Sequence, residues 1–174
     1  MNEALISEVA GEVARALEGQ TLARAFQLSA LALALDFRPG GPALLIAAEP
    51  NRPRIHLVAR TARELERESI TPTPFAHAMR KHLGGGRLQR VTKDEGERVV
   101  RLHFKVPDAV GDGHALSLVA QLTGRAANLL VLDGSGRVLD SLRPARGAGQ
   151  EIGETYAPPA QSSPAGGQRG ELSF

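Results

Sequence analysis

The first eighteen residues carry a hydrophobic pattern with helical spacing. Apolar side chains recur every four residues, and two more flank the same face. These six positions are Leu5, Val9, Val13, Leu17, Ile6 and Ala10. Three glutamates in the first half suit the positive end of a helix dipole, and Gly19 is a natural stop. The pattern predicts an amphipathic helix over residues 2–18.

The next segment is rich in Ala and Leu, and it allows two interpretations. Residues 39–42 read Pro-Gly-Gly-Pro and predict a firm turn. We expect strands over 22–28 and 31–37 before this turn and over 43–48 after it, forming a meander. A helix over 28–36 fits the same composition and stays open as the alternative. Alternation over 54–58 predicts a further strand.

A second helix is predicted after the charged stretch 60–70. Thr73 suits the N-cap and Pro74 the first helical position. Apolar residues then define one helix face, and three glycines follow them. The apolar residues are Phe75, Ala78, Met79 and Leu83, and the glycines are Gly84, Gly85 and Gly86.

The second half of the chain reads as a series of strands. Strand-like runs cover 87–93, 97–106, 114–121, 127–133 and 136–142. Asp-Gly-Ser-Gly at 133–136 predicts a hairpin between the last two. After residue 160 the composition holds too little apolar surface for a core, which predicts one domain over 1–160 and a disordered tail over 161–174.

Composition narrows the function classes. Aromatic residues make up only 3% of the chain, so base stacking is not expected to be the main mode of nucleic-acid binding. No cysteine is present, which excludes disulfides, thiolate metal sites and a Cys nucleophile. An acidic N-terminus unlike a secretory signal, and no apolar run near the 18–20 residues of a membrane span, predict a cytoplasmic protein with no membrane partner.

Positive charge gathers in the middle of the chain. Residues 80–101 hold seven Lys or Arg against three acids, whereas residues 1–18 hold four Glu and one Arg. No nucleotide-binding, metalloprotease or serine-hydrolase motif occurs, and the five histidines lack metal-ligand spacing. We therefore expect no enzyme activity, no cofactor and no metal, and a surface suited to phosphates.

The candidate phosphate contacts fall into three groups. Arg80, Lys81 and Arg87 flank the glycine stop, which could itself cradle a phosphate. Glu97-Arg98 is expected to open a strand; it is either a surface ion pair worth ~0–1 kcal/mol or a site where Arg98 contacts phosphate. Because strand neighbours point to opposite faces, separate roles are expected for the two. Arg125 and Asn128 share a polar loop that could bind a nucleotide or simply connect strands.

Six short runs, in this order, resemble the NFACT-N domain of the RqcH/NEMF group, the fibronectin-binding protein A-like family. They are Pro53-Arg54-Ile55-His56-Leu57; Phe75 with Met79-Arg80-Lys81-His82-Leu83; Gly85-Gly86-Arg87-Leu88; Glu97-Arg98-Val99-Val100; Gly124-Arg125 with Asn128-Leu129-Leu130-Val131-Leu132-Asp133; and Gly153-Glu154-Thr155-Tyr156-Ala157-Pro158-Pro159. The resemblance covers about residues 1–160.

The resemblance implies an α+β fold, in which an N-terminal helix joins a two-sheet β-sandwich like the N-terminal domain of formamidopyrimidine-DNA glycosylases. It also implies a non-enzymatic module of ribosome-associated quality control. Such a module contacts tRNA on a large ribosomal subunit that holds a stalled chain. The family's Asp-Arg pair falls on Glu97-Arg98.

Departures from the family pattern keep other functions open. The family's acid at position 121 is Gln121, and its Met is Thr123. A degenerate copy that binds protein but not tRNA is therefore the main alternative. A DNA glycosylase would need an N-terminal proline, which Met1-Asn2-Glu3 lacks, and an adhesion role would need export. Family members continue into further domains that 174 residues do not hold, so we expect either an excised domain or a short stand-alone relative.

Overall fold

The computed structural model of the protein describes residues 1–159; the predicted tail over 161–174 lies outside them. The described chain has three α-helices, a short 3-10 turn and nine strands. In chain order they are α1 Glu3–Leu17, β1 Thr21–Ser29, β2 Ala32–Arg38, β3 Ala43–Ala47, β4 Arg54–Val58, α2 Ala62–Glu68, α3 Pro74–Leu83, β5 Arg87–Lys93, β6 Val99–Pro107, β7 Gly113–Gln121, the 3-10 turn Gly124–Ala126, β8 Asn128–Leu132 and β9 Val138–Ser141.

The predicted N-terminal helix is confirmed, and five of its six predicted apolar positions are buried. The Asn2 side chain accepts a hydrogen bond from the Leu5 amide at 2.8 Å and caps the helix. Leu5 is exposed, whereas Ile6 is fully buried. The face that packs on the sheet is formed by Ile6, Val9, Ala10, Val13 and Leu17.

The Ala/Leu-rich segment is a strand, and the alternative helix over 28–36 is wrong. Strand β2 pairs antiparallel with β1 and β3. Its two faces are buried by different clusters: Leu33 and Leu35 lie in the main core, and Ala34 lies in the outer cluster with Leu65. Residues 32–35 are all buried, which explains why the sequence lacks alternation there. The charged stretch after β4 holds helix α2, which the sequence pattern did not predict. A capping box between Thr61 and Glu64 starts α2, and its one buried side chain is Leu65.

Helix α3 begins as predicted. Thr73 accepts a hydrogen bond from the Ala76 amide at 3.2 Å, and Pro74 occupies the first turn. The Thr73 hydroxyl also donates to the buried Gln27 side chain on β1 at 3.0 Å. This bond fixes the start of α3 against the sheet.

All nine strands form one antiparallel sheet, in the order β4-β3-β2-β1-β5-β6-β7-β8-β9. The predicted division into two sheets is therefore not confirmed. The two halves are joined by a short ladder at Thr21 and Arg87, and backbone hydrogen bonds beside it link Gly19 and Gln20 to Leu88 and Leu22 to Gly86. Three strand spacings separate Phe37 on β2 from Phe104 on β6, which is about 14 Å in a flat sheet. Their rings stack at 6.4 Å, so the sheet bends sharply at the junction and both halves share one core.

Both faces of the bent sheet are partly covered. Helices α1 and α3 pack into the main core between the halves. On the outer face, Leu65 of α2 covers the β1–β3 region, and Tyr156 covers the β6–β9 region. The likeness to formamidopyrimidine-DNA glycosylases stays a prediction. Among residues 1–159, no helix combines the length and apolar character of a membrane span.

Candidate functional site: an arginine-rich edge of the sheet

Four arginines gather where strands β6 to β9 begin or end. Antiparallel pairing aligns Val99 of β6 with Gln121 of β7, and Gln121 with Asn128 of β8. The segments flanking these positions therefore meet at one end of the sheet. We call this end the arginine edge; it comprises Arg98, Arg125, Arg143 and Arg146. Within residues 1–159, none of the four forms a salt bridge.

Arg98 lies in a tight turn rather than at the start of a strand. The Asp94 amide donates to the Val99 carbonyl at 3.0 Å, and Gly96 adopts a positive φ of 75° that favours glycine. The predicted strand opening at Glu97 is therefore wrong, and so is the argument that Glu97 and Arg98 face opposite sides. Glu97 is half-buried, while Arg98 is exposed.

A charged cluster beneath this turn fixes its position. The Arg101 guanidinium binds both carboxylate oxygens of Asp94, at 2.8 and 2.7 Å, and lies 5.1 Å from the Tyr156 ring centre. The hydrogen bond to Asp94 raises the pKa of Arg101 above its usual value. Burial raises the pKa of Tyr156 far above its usual value. The positive charge of Arg101 lowers this pKa in part, and the nearby Asp94 and Glu97 carboxylates raise it further. Glu97 thus lies beside a neutral, buried phenol.

The loop after β7 joins this turn through the backbone. The Leu122 amide donates to the Arg98 carbonyl at 2.8 Å, and the 3-10 turn that carries exposed Arg125 follows directly. Asn128 is buried, and both the nitrogen and the oxygen of its side-chain amide form hydrogen bonds with the backbone. It donates to the Arg143 carbonyl at 3.1 Å and accepts from the Leu129 and Arg143 amides at 2.9 Å each. The structure gives Asn128 the role of holding the Arg143 segment.

Arg143 and Arg146 were missed in the sequence because they follow the last strand, outside every recognised motif. Each donates through Nη1 to the Arg125 carbonyl, at 3.0 and 3.3 Å, and Arg143 also reaches the Ala127 carbonyl at 2.6 Å. With Arg125 they line a cleft of about 560 Å³, whose lining among residues 1–159 includes Pro158 and no acidic residue. A count of cations near the strand ends could have found them.

Gln121, where the family pattern has an acid, lies inside the domain. It accepts a hydrogen bond from the Tyr156 hydroxyl at 2.6 Å and donates to the Ala126 carbonyl at 2.5 Å. The amide thus links Tyr156 to the turn that carries Arg125. A carboxylate could accept the first bond but could not donate the second.

The other predicted contacts lie apart from the arginine edge. Arg87 pairs with Lys105, six residues along β6 from Val99, which is about 20 Å in an extended strand. Lys81 is exposed on α3. Arg80 donates its guanidinium N–H groups to the Ala25 carbonyl and so braces α3 against β1.

The glycine run 84–86 is a helix stop. Its three amides donate in turn to the carbonyls of Arg80, Leu22 and Leu83, at 2.9 Å each. No amide of the run is left for a ligand, so the phosphate cradle considered for these glycines is wrong.

This geometry defines a class of protein: an α+β domain whose sheet edge carries clustered arginines with no acidic partner among residues 1–159, a surface suited to a polyanion. The chain belongs to the NFACT family, because residues 3–169 match the family model for the NFACT N-terminal and middle domains.

Two curated relatives are similar to this chain. The Rqc2 homolog RqcH of Bacillus subtilis is 30% identical over 125 residues, 68% of this chain and 21% of that protein. The Rqc2 homolog RqcH of Streptococcus pneumoniae serotype 2 is 27% identical over 101 residues, 58% of this chain and 18% of that protein. The chain thus spans about a fifth of the length of these relatives.

Solved structures share the fold. The N-terminal domain of fibronectin-binding protein PavA from Streptococcus pneumoniae aligns with a TM-score of 0.77 and 21% identity, covering 91% of this chain and 61% of that one. The fibrinogen-binding protein from Staphylococcus aureus aligns with a TM-score of 0.75 and 22% identity, covering 90% and 56%. This likeness supports the α+β architecture.

Proposed function

We propose that this domain binds tRNA, without catalysing a reaction, as part of ribosome-associated quality control on a large subunit that carries a stalled chain. Membership of the NFACT family and the likeness to RqcH proteins support the pathway. The observation that carries the binding role is the arginine edge, where four arginines lie at one end of the sheet without an ion-pair partner among the described residues.

Like charges gathered on one edge repel one another, and a polyanion relieves that repulsion. Each phosphate that pairs with an arginine also releases condensed counterions, which makes such binding strong at low salt. Arg98 and Arg125 are exposed and stand on segments joined by the Leu122–Arg98 backbone bond. Their side chains are therefore placed on fixed backbone, ready to contact neighbouring phosphates.

Recognition through phosphates, rather than through stacked bases, follows from the burial of the aromatic residues. All five aromatic side chains among residues 1–159 are buried: Phe26, Phe37, Phe75, Phe104 and Tyr156. Non-specific single-strand binding relies on exposed rings as stacking platforms. We therefore expect the domain to recognise the shape and backbone of folded tRNA.

Replacement of Arg98 by alanine is expected to weaken tRNA binding by roughly 10- to 150-fold, since a charge-assisted hydrogen bond to phosphate contributes roughly 1.5–3 kcal/mol. The slope of log affinity against log salt should fall by about one. Arg125→Ala should weaken binding by a similar factor. The substitution leaves the Arg143 segment in place, because Arg125 holds that segment through its backbone carbonyl and not through its side chain. Fluorescence anisotropy with bulk tRNA over a salt series measures both effects.

Arg63→Ala is the matched control, because Arg63 is an exposed cation on α2, on the other half of the sheet. It should leave affinity and slope unchanged. If the wild-type domain and Arg98→Ala bind tRNA equally weakly, or not at all, Arg98 is an ordinary surface residue and the domain is instead the degenerate, protein-binding copy of the fold.

A further inference from the structure

The outer face of β5 and β6 is a basic groove that none of the functions above uses. It is lined by Arg90 from β5 and by Arg101, His103 and Lys105 from β6, and Arg87 lies opposite Lys105 in the register; the Arg101 guanidinium is already paired with Asp94. On either side the outer face is covered, by α2 over the first strands and by Tyr156 over the last. Between these covers the groove encloses about 550 Å³, bounded by the 133–136 turn.

A β-bulge aims Arg90 into the groove. Leu88 faces Phe104 across the sheet and Arg90 faces His103, so Gln89 is the extra residue. Without the bulge, Leu88 and Val91 would point to opposite faces; with it, both pack against the core. The same irregularity turns Arg90 outward, beside the cations of β6.

The register places like charges directly opposite one another at Arg87 and Lys105. Arg90 faces His103 and lies diagonal to Arg101, which stands two residues before His103 on β6. Like-charged cross-strand pairs destabilise a sheet. Among residues 1–159, neither Arg87, Arg90 nor Lys105 forms a salt bridge. An anionic partner would turn this repulsion into attraction.

The local field is positive at His103. Burial lowers the pKa of His103 below its usual value, and the neighbouring Arg90 and Arg101 lower it further, with Asp94 opposing them. Asp133, the acid that lines the groove, is occupied by its own turn. Its Oδ1 accepts from the Ser135 amide at 2.9 Å and the Arg137 amide at 3.0 Å.

The Lys105 side chain lies along the groove wall. A Cβ built on Gly113 would stand 2.5 Å from Lys105 Cε and 2.6 Å from its Cγ, so the lysine stem crosses the space that Gly113 leaves open. The aliphatic stem of Lys105 thus packs against Gly113, while Lys105 as a whole remains exposed to solvent at the groove.

We propose that this groove binds the sugar-phosphate backbone of a base-paired RNA segment, as a second contact surface separate from the arginine edge. The inference rests on the proposed function for the nature of the ligand. Base-paired RNA is favoured because the groove offers cations and no exposed ring, so bases gain nothing by leaving their pairs. An acidic protein segment is the competing partner.

The test compares Arg90→Gln/Lys105→Gln with a control of equal charge, Arg52→Gln/Arg63→Gln, whose two arginines are exposed on the other half of the sheet. The probe is a short blunt RNA duplex, measured over a salt series. Loss of two phosphate contacts should lower the salt slope by about 1.5 and the affinity at low salt about tenfold, while the control stays within twofold of wild type. The control should keep the wild-type melting temperature, and the groove variant should melt no lower than wild type, since all four replaced groups are exposed and the groove loses a repulsion.

Three results would overturn the inference, and they differ in their consequence for the proposed tRNA-binding function. If the groove variant binds the duplex like wild type while Arg98→Ala loses tRNA, the groove has no RNA role and the proposed function stands. If wild-type protein binds neither duplex nor tRNA, both proposals fail. If the groove variant keeps RNA binding but loses binding of poly-glutamate that wild type shows, the groove takes acidic protein instead.

Discussion

Phe104→Ala is expected to lower the free energy of unfolding by about 3–5 kcal/mol, the range for truncating a large buried aromatic side chain. Phe104 is 1% exposed and stacks on Phe37 from the other half of the bent sheet. Its removal opens a cavity where the two halves of the sheet face each other, near the short Thr21–Arg87 ladder that joins them. Urea denaturation followed by circular dichroism gives the change.

Val110→Ala provides the control for this effect, because Val110 is 81% exposed. It should change stability by less than about 0.5 kcal/mol. A loss below about 1 kcal/mol for Phe104→Ala would mean that the halves do not depend on this contact, and the description of one shared core would be wrong.

Gln121→Glu is expected to destabilise the domain by about 1–3 kcal/mol at neutral pH, the usual penalty for an unsatisfied buried group. The substitution removes the donor to the Ala126 carbonyl and places a carboxylate against that oxygen. Burial favours the protonated acid, so the folded-state pKa exceeds the unfolded one. The loss should therefore shrink as pH falls, because the protonated acid can again donate.

Melting temperatures at several pH values test this directly. Gln89→Glu, at the exposed bulge on β5, should show no such pH-dependent loss. If Gln121→Glu is as stable as wild type at pH 7, the amide does not bridge Tyr156 and Ala126 in solution. The two hydrogen bonds of the Gln121 amide would then not explain why an amide stands at this position.

Regular elements with clear periodicity were predictable from the sequence. Thr73 and Pro74 marked the start of α3 because capping is local chemistry, and the Pro-Gly-Gly-Pro turn fixed the β2–β3 connection. Helix α2 was missed because one buried residue, Leu65, leaves no apolar stripe to detect. The single sheet was also missed, since the Thr21–Arg87 pair that joins its halves is a long-range contact without local signal.

The site was predicted only in part, for a similar reason. Arg98 and Arg125 were recognised through family motifs, but their neighbours Arg143 and Arg146 come together with them only through the sheet register. Asn128 carries a motif position yet serves the Arg143 backbone. The position of Arg80 on α3 suggested a phosphate contact, whereas its guanidinium binds the Ala25 carbonyl. Which polar groups already have partners is decided by tertiary structure.

The decisive measurement for tRNA binding through the arginine edge is the affinity of the wild-type domain for tRNA across a salt series. Four arginines at one edge predict a slope of log affinity against log salt between about −2 and −4, at roughly 0.7–0.9 per phosphate contact. Additional contacts in the groove would make the slope steeper. A slope near zero, or no binding at low salt, would contradict the claim that this NFACT domain binds RNA through its arginine edge.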